Sequence, residues 1–235
     1  MITHETVANG EINRKQRAHE INIIESGHSF IYGQNAPARQ AFLQELCDKY
    51  PYEPDSDQPL GIYLTLDDFP RASVIVEKFK EGGHIFAEGY LISAIAEAIE
   101  VKTGARLQID HLGEDRPTFA ELKAEQIDYY QKMLRGEVFI EPPDIFLDPS
   151  DLMDGLEEFR QQENWNSHIT LVIDQQGRFP EALAYAVNRL VSMRISGRLS
   201  VNVACDHTEW PTYWLHGSNL PIQSTHDYST IELDK

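Results

Sequence analysis

With 235 residues, 41% of them hydrophobic, the chain can bury a sizeable core as one α/β domain or two small ones. Its formal net charge of -18, from 38 acidic against 20 basic residues, excludes a broad polyanion-binding surface, because counterion release requires clustered Lys and Arg. No run reaches the roughly 18 to 20 apolar residues of a membrane span, and the opening MITHETVANGEINRKQ lacks a signal peptide's apolar stretch, so the expectation is a soluble cytoplasmic protein without direct nucleic-acid binding.

In chain order, the polar residues 1–21 read as an N-terminal arm or frayed helix, and 22–235 as one domain. Ser29-Phe30-Ile31-Tyr32 reads as a short buried strand running into Gly33. Pro37 to Tyr50 follows as a helix, with Ala41, Phe42, Leu46 and Cys47 near helical spacing and proline placed to suit a first turn. An acidic, proline-marked loop leads to a second strand, Gly61 to Leu66, and apolar residues at Leu91, Ile95 and Ile99 predict an amphipathic helix over Phe86 to Val101. The stretch 103–166 reads as a helical insertion, with helices over Pro117 to Leu134 and Ser150 to Gln162 and a loop at Pro142-Pro143.

The last third returns to continuous apolar strands at Ile169 to Ile173 and Leu199 to Ala204, separated by a helix over Pro180 to Ile195, and ends in a fifth strand over Tyr228 to Leu233. Alternating strands and helices predict a three-layer α/β sandwich around a mainly parallel five-stranded sheet, because parallel neighbours need crossovers. Ligands of such sheets bind beyond the carboxyl ends of the strands, where Gly33, Asp174 and Cys205 to His207 all fall.

The segment after the first strand is Gly33-Gln34-Asn35-Ala36-Pro37-Ala38-Arg39-Gln40. It has the first glycine and the length of the phosphate-binding pattern G-x-x-x-x-G-K-[ST], but Ala38 stands at the second glycine, Arg39 at the phosphate-binding lysine and Gln40 at the magnesium-binding hydroxyl. Ile169 to Asp174 is an apolar strand ending in an acid, followed by Gln175, which cannot act as a base. Together these segments resemble a P-loop NTPase core of the AAA+/STAND or origin-recognition type, over about Asn22 to Leu233 and without the helical lid such proteins carry. The resemblance implies that Asp174 occupies the metal-organising position and Gln175 that of the water-polarising glutamate. Gly33, Asn35, Arg39, Gln40, Asp174 and Gln175 would then line a vestigial nucleotide site with no catalytic residue and no metal ligand. No cofactor is expected; ATP with magnesium could bind only weakly, through Arg39 and the helix N-terminus.

The function implied is that of a catalytically inactive pseudo-ATPase, a scaffold or regulatory subunit whose partner is a protein, either an active ATPase or a larger complex. The alternative is a divergent ATP-binding NTPase completed by a partner subunit in a DNA-associated, mobile-element or defence system. Other candidates carry less. Cys205 and Asp206 would point to opposite strand faces, and the nine histidines form no zinc spacing. With only Cys47 and Cys205 present, no disulfide framework is expected. Asp67-Asp68 reads as a solvated loop, and Trp210, Tyr213 and Trp214 as a cover on the core in preference to a partner anchor.

Overall fold

Runs of β-branched and aromatic residues, each too short for a helix of useful length, make the five strands of a wholly parallel sheet. The computed structural model describes residues 16–24, 27–69, 83–109, 112–113, 117–137, 147–175, 177, 179–193, 198–206, 210–215, 220–224 and 226–233. Residues 16–24 are helical (α1). Then come β1 (Ser29–Tyr32), α2 (Ala36–Asp48), β2 (Leu60–Leu64), α3 (Gly83–Thr103), α4 (Phe119–Leu134) and α5 (Pro149–Glu163). β3 (Ile169–Asp174), α6 (Glu181–Ser192), β4 (Leu199–Cys205) and β5 (Ser229–Glu232) complete the order.

The strands lie in the order β2-β3-β4-β1-β5. From β1 the chain crosses to the far edge at β2, steps back through β3 to β4, and ends at β5 on the other side of β1. The two faces of the sheet hold separate cores. On one, Ile23 and Ile24 of α1 and Leu43, Leu46 and Cys47 of α2 pack against Ile31, Val172 and Ala204. On the other, α3, α4, α5 and α6 bury their apolar faces together with Phe30, Ile62, Leu171 and Val203. β1 is therefore followed by a helix on one face, while β2 and β3 are followed by helices on the other. In sheets whose connections change face in this way, ligands bind beyond the carboxyl ends of the strands.

Local chemistry sets most element ends. Thr118 caps α4 and Asp148 caps α5, each in a reciprocal capping box with Glu121 and Asp151. α5 stops at Asn164, in the left-handed conformation (φ 48°) that asparagine tolerates. The second strand is shorter at its end than the apolar pattern implied: it closes at Leu64, and Leu66 turns back to accept a bond from the Phe69 N–H. α6 ends at Ser192. The expected Pro142-Pro143 loop, Ile195, His207 and most of the expected N-terminal arm lie outside the described residues. The helices of the stretch 103–166 join the same core as α3 and α6 through Phe119, Leu122, Leu152 and Leu156. No helix among the described residues is long and apolar enough to cross a membrane.

Candidate functional site

Only Gly33, Gln34 and Asn35 separate β1 from α2, so five of the eight positions from Gly33 to Gln40 are already helical. Asn35 is the N-cap, and its side chain accepts from the Ala38 N–H at 3.2 Å. The Arg39 N–H bonds the Asn35 carbonyl at 2.9 Å, and Pro37 has no N–H to offer. Of the donors that would form an anion nest at this helix start, the Ala36 N–H is the one that these bonds leave over. Gly33 is buried. It is not among the left-handed glycines of the described residues, which are Gly104, Gly113, Gly136 and Gly177.

Arg39, in the first turn of α2, is 3% exposed. Its guanidinium reaches across β4 to the end of β3: Nε and Nη2 donate to Asp174 Oδ1 at 3.2 and 3.0 Å, and Nη1 donates to the Gly33 carbonyl at 2.7 Å. The strand register explains the reach, since Ala204 of β4 pairs with Ile31 on one side and Asp174 on the other. The second carboxylate oxygen, Oδ2, accepts from the Tyr63 hydroxyl of β2 at 3.0 Å. Tyr63 and Val172 are register partners and share the α2-side core, so Asp174, two residues beyond Val172, emerges on that face. The result is a closed set at the strand ends, in which Arg39 of α2, Asp174 of β3, Tyr63 of β2 and the Gly33 carbonyl of the β1–α2 loop satisfy one another.

Burial raises the Asp174 carboxyl above the ordinary carboxylate range, against the opposing pull of Arg39 and of the Tyr63 and Arg39 hydrogen bonds. Burial likewise pushes the Tyr63 phenol upward, helped by the neighbouring Asp174 charge. Tyr63 therefore stays a protonated donor.

No known protein family, curated protein or solved structure matches this chain.

The six residues expected together divide. Gly33, Arg39 and Asp174 converge, and Asn35 stands one turn away as the helix cap. Gln40 is half-buried. Gln175 is 0% exposed, and its amide oxygen and nitrogen make no hydrogen bond among the described residues. Strand alternation directs it away from Asp174, so the two do not form one acid–base unit. Sequence reasoning missed Tyr63: in an apolar strand its hydroxyl carries no signal until the register puts it beside Asp174.

The remaining candidates separate as well. Cys205 is buried on β4. Asp67 and Asp68 are exposed, with Asp68 accepting from the Tyr90 hydroxyl and pairing with Lys123 at 3.5 Å. Trp210 packs at 4.9 Å, edge to face, on Phe30 and Tyr213 at 5.5 Å on the same ring, whereas Trp214 is 50% exposed. Among the described residues no three His, Cys, Asp or Glu side chains gather to hold a metal ion.

Proposed function

We propose that the chain is a non-catalytic P-loop NTPase-like domain of AAA+/STAND character, acting as a scaffold or regulatory subunit in a protein complex. The observation that carries this is the Arg39–Asp174 pair. The two side chains that a nucleotide and its magnesium would need are bonded to each other and to Gly33 and Tyr63, with both at about the limit of burial. A guanidinium already committed to a buried carboxylate and a backbone carbonyl is not a phosphate ligand unless the pair separates, and separating it leaves an uncompensated buried charge.

Two further features support the reading. In the first turn of α2 the Ala38 N–H is taken by the Asn35 side chain and Pro37 has no N–H, which thins the backbone cradle. Gln175, where the resemblance implies a catalytic glutamate, has a neutral amide and no access to solvent. A divergent NTPase would have to rebuild all three features at once.

Thermal denaturation with magnesium-ATP tests this. A ligand at 100 times its dissociation constant stabilises a fold by about 2.7 kcal/mol, so the expected result is an unchanged midpoint at millimolar nucleotide. A clear upward shift, or ATP hydrolysis that disappears in Asp174→Ala, would overturn the proposal and favour the divergent NTPase.

A further inference from the structure

Across the sheet from α2, in the helical layer, a cavity of about 270 Å³ opens between the N-terminal half of α3, the C-terminal half of α6 and the segment 210–215. His84, Glu88, Tyr185, Arg189 and Ser192 supply its polar wall, and Ala186 and Leu215 an apolar one. Its size is just below the ordinary range for small-molecule sites, about 300 to 1,000 Å³. We propose that this cavity binds a small carboxylate with a short apolar tail, held by Arg189.

The argument rests on how the Glu88–Arg189 pair is built. Glu88 lies within α3 with its side chain 3% exposed, while the Arg189 side chain on α6 is 51% exposed. Arg189 Nη1 donates to Glu88 Oε1 at 2.6 Å. That is the contact the structure shows for the guanidinium, so Nε–H and the Nη2 hydrogens, on a group that lines the cavity, have no partner among the described residues. A buried acid adds little stability by pairing with a half-exposed cation, because desolvation offsets most of the attraction. What Glu88 does accomplish is to fix the plane of the guanidinium and leave its outer edge facing outward.

That edge presents two parallel N–H donors, the fork that a carboxylate meets bidentately. The Ser192 hydroxyl donates to the Arg189 carbonyl at 2.8 Å and so leaves the guanidinium edge as the donor for an acceptor-only carboxylate. Ala186 and Leu215 offer the apolar contact. The overall charge of -18 gives anions no general attraction to this surface, so an anion that binds does so through local geometry. Asn188, one residue before Arg189, donates to the carbonyls of Thr212 and Trp214 at 3.0 Å each. The Leu215 wall is thereby tied to the helix that carries the arginine.

The test uses the full chain, ligand-observed NMR and three probes: isovalerate, its neutral isostere isovaleramide, and inorganic phosphate. Isovalerate should give a saturable signal and isovaleramide none. Because Arg189→Gln alone could unfold the protein by stranding Glu88, the decisive variant is the neutral pair Glu88→Gln with Arg189→Gln, which should keep the wild-type melting temperature and lose isovalerate binding at least tenfold. The proposal fails if isovalerate does not saturate, if the amide binds equally, or if the double variant binds like wild type. Phosphate displacing isovalerate at equal concentration would overturn the assignment of the ligand as a carboxylate. Magnesium-ATP plays no part in this readout, so the outcome is independent of the function proposed for the Arg39 site.

Discussion

Arg39 and Asp174, 135 positions apart in the chain, form a buried ion pair with nitrogen–oxygen distances of 3.0 and 3.2 Å, at the carboxyl ends of β1 and β3. Replacing Arg39 by Ala leaves Asp174 buried without its cation, and should destabilise the fold by about 3–5 kcal/mol. Replacing both, Arg39→Met with Asp174→Leu, should cost far less. Urea unfolding of the single and double variants measures the difference; a single variant as stable as wild type would refute the closed-site account, and nucleotide affinity lost at unchanged stability would favour an active site.

Tyr63 closes the same set from β2. In Tyr63→Phe the Asp174 Oδ2 atom loses its donor while remaining buried, which should cost about 1–3 kcal/mol. Chemical denaturation of this variant in the Asp174→Asn background separates the two contributions: if the hydroxyl acts through the carboxylate, the cost should shrink there.

Two glycines should respond in opposite ways to alanine. At Gly33 a Cβ would sit 3.5 Å from Arg39 Cδ and 3.6 Å from Leu233 Cβ, ordinary contact distances, and the backbone is not left-handed. Gly33→Ala should therefore change stability by less than about 1 kcal/mol, and in the stabilising direction if any. At Gly61 a Cβ would lie 2.5 Å from the Cys47 carbonyl oxygen and 2.7 Å from its Cα, main-chain atoms of α2 that cannot yield without moving the helix. Gly61→Ala should cost at least about 1–3 kcal/mol by overpacking. Melting temperatures of the two variants settle both.

His28 predicts a loss of stability in mild acid. Its Nδ1 accepts from the Val201 N–H at 3.0 Å, a bond the protonated ring cannot make. Burial lowers its pKa in the folded state below that of a free imidazole, with Asp227 opposing in part. The unfolded chain therefore binds the proton more readily than the native one. The stabilising contribution is complete above the unfolded value and is lost as pH falls through the lower folded value. Comparing wild type with His28→Gln, which keeps an acceptor but does not titrate, the stability advantage of wild type should decline on acidification through this window; a constant difference would remove His28 as the cause.

Much of the fold is legible in the residues alone. The buried strands SFIY and ITLVID are short and continuously apolar because both faces of a parallel sheet are covered, and the caps Thr118 and Asp148 start helices through contacts three residues long. The proximity of Gly33, Arg39 and Asp174 was also visible, since residues at strand carboxyl ends share one edge of such a sheet. Strand order, register and the handling of polar groups were not, because they depend on contacts between segments distant in the chain, more than a hundred residues apart in three of the four strand pairings. Sequence alone marked Asp174 and Gln175 as neighbours at one site, and only the pleat separated them, one bonded to Arg39 and the other sealed in the core. The same holds for Tyr63, whose hydroxyl acquires a partner through the β2–β3 register, and for Glu88 and Arg189, whose pairing depends on how α3 lies against α6. Local pattern determines which elements form; which side chains meet is decided by packing, where a shift of one residue in register exchanges the faces of a strand.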